Sequence, residues 1–246
     1  MRIHNIAQHL ESGEANPDWL ALRAGKFSGS DFNQYMAIVD KGKLSDTAET
    51  ALHKKVLSGI GEVFDSYKSE SMERGNELEP LARQAYMCET FADVQEVGFV
   101  DWERLRAGCS PDGVIYSELT VVDDEPYWAK DESGLPVCLG TKQNTKNFCV
   151  IDKIIEIKCP EIVNFIKYAE SADNIPPLYK TQMQYNMLIT GAKSCDFVAY
   201  YPGMRLIIHT IDADAKLQDD IVIALEKLNV RYDEILTQIN RLKIGE

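Results

Sequence analysis

The chain has 246 residues, is 45% hydrophobic and carries a formal net charge of −13. That length and apolar content suit one large domain whose core needs neither disulfide nor metal to hold it together. The charge argues against a protein that merely coats nucleic acid, and no run of about 18 apolar residues is present to cross a membrane.

Residues 1–36 read as two short helices around Pro17, one over Trp19–Arg23 and ended by Gly25. Ser28-Gly29-Ser30-Asp31 reads as a loop and helix cap leading into Phe32, Tyr35 and Met36. Leu52, Val56, Leu57 and Ile60 mark a helix over 47–60. A longer helix is expected between Met72 and Phe91. Pro80 fits only its first turn, which puts the start near Leu78 or Glu79. Strands are expected at 94–100, 105–109 and 113–116. The stretch from Ser117 to Asn147 reads as a long hairpin or a mobile excursion between two core strands. The expected organisation is therefore a single domain over 1–246 with an insertion at about 117–150.

Beyond the insertion the pattern predicts a strand at 154–158, helices near 161–171 and 178–190, and a hairpin around Pro202-Gly203. A final helix over 214–243 carries Leu217, Ile221, Leu225, Leu228, Tyr232, Ile235, Leu236 and Ile239 on one stripe. Six cysteines show no Cys-x-x-Cys spacing and read as reduced thiols. The amino terminus lacks a signal-peptide apolar core, so a cytoplasmic protein of a bacterial or phage-infected cell is expected. His4, His9, His53 and His209 are scattered and read as structural or surface residues.

The chemistry concentrates in Ile154-Ile155-Glu156-Ile157-Lys158-Cys159-Pro160. A period of two puts Ile155 and Ile157 on one face of the strand, and Glu156 and Lys158 side by side on the other. Glu-x-Lys alone is as readily a solvated ion pair. Flanking isoleucines instead suggest a core strand, where charges are costly unless paired or bound to a cation. Asp112 stands in Ser110-Pro111-Asp112-Gly113, a tight turn at a strand end that would aim a carboxylate at Glu156. Two hard oxygen ligands and one lysine are minimal equipment for metal-assisted phosphodiester hydrolysis. Gln182 and Tyr185 fall at i and i+3 of one helix, either as half-buried polarity or with the glutamine positioning a water or phosphate.

Arg74-Gly75 with Glu79, then Ser-Pro-Asp-Gly, then Glu-Ile-Lys-Cys-Pro, then Gln182-x-Gln184-Tyr185 resembles the phage lambda exonuclease family. This is the YqaJ-type viral recombinase branch of the PD-(D/E)XK nucleases. The likeness runs from about Trp19 to Tyr201, and the 117–150 insertion is longer than the family pattern.

The resemblance implies an α/β fold with a central mixed sheet flanked by helices. It implies a 5′-3′ exonuclease that uses Mg²⁺, two ions with Mn²⁺ as a substitute, to digest one strand of duplex DNA. Asp112, Glu156 and the Ile157 carbonyl would be metal ligands, and Glu79 would bind a metal or its water. Lys158 would orient or activate the attacking water, and Gln182 would hold that water or the phosphate. Arg23, Ser28, Ser30 and Ser110 would bind a terminal 5′-phosphate, with Gly29 where the family has alanine, and Tyr185 would join the DNA contacts. A homotrimeric ring and a single-strand annealing protein complete the implied partners.

Rival readings are a PD-(D/E)XK endonuclease, a Cas4-like nuclease and an inactive scaffold on the same fold. The Cas4-like enzyme needs four cluster-binding cysteines, and no cysteine precedes Cys88. Intact Asp112, Glu156 and Lys158 speak against the scaffold.

Overall fold

The computed structural model describes residues 2–8, 10, 16–64, 70–130 and 136–243, with residues 103, 119–130 and 136–148 given by backbone alone. The strands are β1 (Arg2–His4), β2 (Phe27–Ser28), β3 (Phe99–Trp102), β4 (Ala107–Cys109), β5 (Gly113–Lys130), β6 (Pro136–Lys158), β7 (Ser194–Ala199) and β8 (Ile207–Asp212). The helices are α1 (Pro17–Arg23), α2 (Gly29–Phe32), α3 (Ala37–Lys41), α4 (Asp46–Gly59), α5 (Glu70–Thr90), α6 (Ile162–Glu170), α7 (Pro177–Thr190) and α8 (Ala215–Leu242).

The mixed α/β fold is as expected, but in place of one central sheet there are two four-stranded mixed sheets flanked by helices, ordered β1-β3-β4-β2 and β5-β6-β7-β8. Each sheet contains one parallel pair, β2 with β4 and β6 with β7. An isolated antiparallel bridge between Gln95 and Val114 lies outside both ladders. Helix α7 runs along the middle of the molecule. Its Met183, Tyr185, Met187 and Ile189 enter the main core with Phe27, Phe32, Phe197 and the buried stripe of α8. The segment expected as a hairpin or excursion is a hairpin in its backbone, pairing Gly113 through Lys130 with Ile155 back to Pro136.

Several boundaries differ from expectation. Helix α5 starts at Glu70 and passes through Pro80 instead of beginning beside it. The missing proline N–H leaves the Asn76 carbonyl without its helical donor. Both residues are exposed, so water can take that carbonyl. The strand expected at 94–100 is displaced to Phe99–Trp102. The one expected at 105–109 shrinks to Ala107–Cys109, because a 3-10 turn over Glu103–Leu105 and the left-handed Arg106 (φ 46°) interrupt it. Ser30 and Asp31 lie inside α2; Ser28 is the N-cap residue and makes no side-chain capping bond. His9 lies outside the described residues.

Candidate active site

Strand β6 delivers the Glu-x-Lys pair by simple alternation. Ile155 and Ile157 point to α5, packing with Ala82, Tyr86 and Val198. Glu156 and Lys158 point the other way, toward α7, where Asn186 Nδ2 donates to Glu156 Oε2 at 3.3 Å. The Lys158 ammonium donates to Glu156 Oε1 and stands 5.0 Å from the centre of the Tyr179 ring. Glu156 is completely buried. A buried ion pair of this kind gains little stability over an apolar pair, because desolvation offsets the Coulomb attraction.

Asp112 arrives on the turn between β4 and β5. The turn is seated tightly: a Cβ on Gly113 would lie 2.4 Å from Val94 Cγ1 and 2.9 Å from Ile155 Cδ1. Asp112 Oδ2 accepts the Ile157 N–H at 2.6 Å, which pins the carboxylate beside the Glu-x-Lys strand. Glu79 comes from α5. Its Oε1 accepts from Arg83 Nη2 at 2.6 Å.

The electrostatics follow from crowding. Burial, reinforced by neighbouring Asp112 and only partly offset by Arg83 and Lys158, pushes the Glu79 carboxyl up to about 7. Burial likewise takes Glu156 up to about 7; Lys158 opposes the rise and Asp112 adds to it. Asp112 is also raised by burial, against the pull of Lys158, the Ile157 N–H and Arg83. Burial disfavours the Lys158 charge, but Glu156 and Asp112 more than compensate and hold it above the ordinary lysine value.

A cleft of about 500 Å³ has Ser30, Glu79, Asp112, Lys158, Tyr179 and Gln182 in its wall, with Ile157 among the other lining residues. The structure therefore brings Asp112, Glu156, Ile157, Lys158, Glu79 and Gln182 to one place. Among the described residues, no preformed cluster of three or more His, Cys, Asp or Glu side chains is placed to hold a metal ion. The donor chemistry nevertheless fits a hard divalent cation. Mg²⁺ is typically held by one or two carboxylates and keeps several waters. Crowded carboxylates raised toward neutrality gain most from such a charge.

The residues expected at a 5′-phosphate divide. Arg23 Nη2 donates to Ser28 Oγ at 3.3 Å, and Ser28 Oγ lies 3.4 Å from Ser30 Oγ. Ser28 also donates to Asp31 Oδ1 at 3.2 Å. Arg23 stacks over Trp19 at 4.4 Å, and burial lowers its basicity, with Asp31 partly opposing. Ser30 is exposed and reaches the cleft, whereas Arg23, Ser28 and Ser110 are not part of its wall. Ser110 donates to the Gly98 carbonyl at 2.7 Å, an acceptor shared with the Trp19 indole. Helix α2 spans only four residues, too few to build the macrodipole that an anion pocket at its amino terminus would use.

One expectation is corrected. Tyr185 is fully buried, donates to the Phe27 carbonyl at 2.8 Å and packs on Phe32. It cannot touch DNA, and its role is to hold the segment that carries Ser28. Two further residues, Arg83 and Asn186, shape the site without having been singled out in the sequence, and Arg74, quoted there only as part of the family pattern, also braces it. Arg83 holds Glu79, Asn186 holds Glu156, and Arg74 Nη1 donates to the Cys159 and Pro160 carbonyls at 3.1 and 3.3 Å. The available signals were helical spacings: Arg83 follows Glu79 by one turn, and Asn186 follows Gln182 by one turn.

A mixed α/β sheet that sets an aspartate turn against a Glu-x-Lys strand defines the restriction-endonuclease-like PD-(D/E)XK class. Residues 18–193 match the YqaJ-like viral recombinase domain, and the chain belongs to that family. Family membership supports a general nuclease or recombinase activity on DNA. Among solved structures, the chain is similar to the alkaline exonuclease LHK-Exo from Laribacter hongkongensis, at 24% identity and TM-score 0.64, over 93% of this chain and 100% of that one. The same enzyme in complex with dAMP matches at 24% identity and TM-score 0.63, with the same coverage. A phage-related exonuclease from Haemophilus somnus 129PT matches at 17% identity and TM-score 0.60, over 87% of this chain and 96% of that one. At these identities the likeness shows the fold. No curated protein sequence matches. Among the described residues no helix is long and apolar enough to cross a membrane.

Proposed function

We propose that this chain is a Mg²⁺-dependent 5′-3′ exonuclease, with Mn²⁺ able to replace Mg²⁺. On this reading it degrades one strand of linear double-stranded DNA to mononucleotides and leaves a 3′ single-stranded overhang for recombination by strand annealing. The observation that carries the reading is the meeting of Asp112, Glu156 and Lys158 beside one cleft in a chain of this family. The similar structures from Laribacter and Haemophilus are both described as exonucleases.

Asp112, Glu156, the Ile157 carbonyl and Glu79 would hold the divalent ions. Once bound, these ions supply Lewis acidity for water activation and neutralise charge gathering on the phosphate. Lys158, a compact point charge at the cleft wall, orients the attacking water and balances negative charge in the transition state. Gln182, on the same wall, holds that water or the scissile phosphate. Ser30, backed by Ser28 and Arg23, receives the terminal 5′-phosphate through hydroxyl and guanidinium donors. Ser110, expected to join this pocket, donates its hydroxyl proton to the Gly98 carbonyl and would have to exchange that bond for one to the phosphate.

The working assembly in this reading is a single nuclease domain in a homotrimeric ring, partnered by a single-strand annealing protein. A locally basic channel would reconcile DNA binding with the net charge of −13.

The test digests linear duplexes bearing 5′-phosphate or 5′-hydroxyl ends, with Mg²⁺ or with EDTA. Expected is Mg²⁺-dependent loss of one strand, faster from the phosphate end, with covalently closed circles left intact. Cutting of closed circles would favour an endonuclease, and digestion indifferent to chelation would overturn the mechanism.

A further inference from the structure

Arg83 is the residue on which three separate parts of the site converge. It is 9% exposed and lies on α5, one turn beyond Glu79. Its Nη2 donates to Glu79 Oε1 at 2.6 Å, its Nε to the Asp112 carbonyl at 2.8 Å, and its Nη1 pairs with Glu96 Oε1 at 2.7 Å. One guanidinium thus ties together a helix, the aspartate turn and the segment leading into β3. It lines a second cleft of about 410 Å³, which shares Glu79, Asp112 and Asn76 with the first. The bond to Asp112 goes to the main chain and leaves that carboxylate free for Ile157 N–H.

We propose that Arg83 is a positioning residue that sets the placement of Glu79 relative to Asp112, and so tunes the affinity of the carboxylate cluster for divalent cations. The inference rests on the reading of Asp112 and Glu79 as the metal-binding carboxylates. A planar guanidinium with donors in a fixed fork can hold three acceptors at set angles, whereas the point charge of lysine cannot. The claim opposes plain electrostatics, which makes it testable. As a mere nearby cation, Arg83 would repel a divalent ion, and replacing it with a neutral residue would tighten metal binding. As a positioning residue, it strengthens binding despite its charge.

The experiment titrates Mn²⁺ alone into the full chain by calorimetry, without DNA, for the parent, Arg83→Lys, Arg83→Met and Asp112→Asn proteins. Loss of a group that orients a metal ligand costs about 10- to 100-fold in affinity. That loss is expected for both Arg83 variants, with lysine failing to rescue. Affinity unchanged in Arg83→Lys, or tightened in Arg83→Met, overturns the proposal. Should the Arg83 variants fail to fold, Glu96→Gln decides it. Glu96 is mostly exposed, and its neutral form loosens one arm of the fork, so Mn²⁺ binding weaker than in Glu77→Gln, which removes the same charge from an exposed position of α5, supports the proposal and binding equal to that control overturns it. The Asp112→Asn arm separates the two readings. If it binds Mn²⁺ as tightly as the parent, the metal-site reading itself fails, whatever Arg83 does.

Discussion

Gly29 presses against Asn186: a methyl group at position 29 would stand 2.4 Å from Asn186 Oδ1 and 3.1 Å from the Gln182 carbonyl. The serine segment of the candidate phosphate pocket is therefore seated directly on the α7 residue that also donates to Glu156. The alanine that the family pattern carries fits here only if the Asn186 amide moves. Gly29→Ala must push Asn186 aside, at about 1–3 kcal/mol. Denaturant unfolding should show that loss. The double variant Gly29→Ala with Asn186→Ala should be less destabilised than the sum of the singles. Simple additivity would show that the two residues do not press on one another.

Lys158 is the clearest single test of the catalytic reading. It lines the cleft and bonds the buried Glu156. Lys158→Ala should lower strand degradation by about 10²-fold or more, since preorganised charge is usually the largest catalytic contribution. DNA binding, measured by fluorescence anisotropy in Ca²⁺, should survive, because one ammonium is a small part of a duplex interface. Asp112→Asn should match the loss in rate. A Lys158→Ala protein that digests DNA at the parental rate would remove lysine from the mechanism.

Those residues were legible in the sequence because their placement depends on local rules. Alternation within Ile154–Lys158 decided which side chains share a face, and a Pro-Asp-Gly turn put Asp112 at a strand end. The helices at 162–170, 177–190 and 215–242 followed from apolar spacing and from stops such as Gly191, which is left-handed at φ 74°. The rest depended on tertiary approach. Nothing local shows that Glu96 meets Arg83, or that Tyr185 is turned inward to the Phe27 carbonyl. Pro80 misled for the opposite reason. Its local rule is real, but the exposed helix face tolerates the lost bond.

The raised carboxylates make stability depend on pH and on metal. Glu79 and Glu156 titrate in the fold at about 7 against an ordinary value of 4.5. Between those values the folded chain keeps protons that the unfolded chain has released. Their contribution is therefore fully present below about 4.5 and is lost as pH rises through about 7. A divalent cation competes with those protons and relieves the same repulsion. Adding saturating Mg²⁺ should raise the melting temperature by several degrees near pH 8 and by much less near pH 5.5, as read by differential scanning fluorimetry. An equal gain at both values would place the bound ion away from Glu79 and Glu156.

Arg23 tests the phosphate pocket apart from the catalytic carboxylates. Its guanidinium is stacked on Trp19 and donates to Ser28, whose hydroxyl neighbours Ser30 at the cleft. A lysine would keep the charge but lose both the stack and the planar fork. Arg23→Lys should therefore slow digestion of 5′-phosphorylated duplexes, by about tenfold for a loss of about 1.4 kcal/mol, and leave the slower 5′-hydroxyl rate nearly unchanged. The ratio of the two rates is the decisive quantity. A fall in both by one factor would mean that Arg23 supports the fold, through Trp19 and the Gly98 carbonyl it reaches, and does not bind the DNA end.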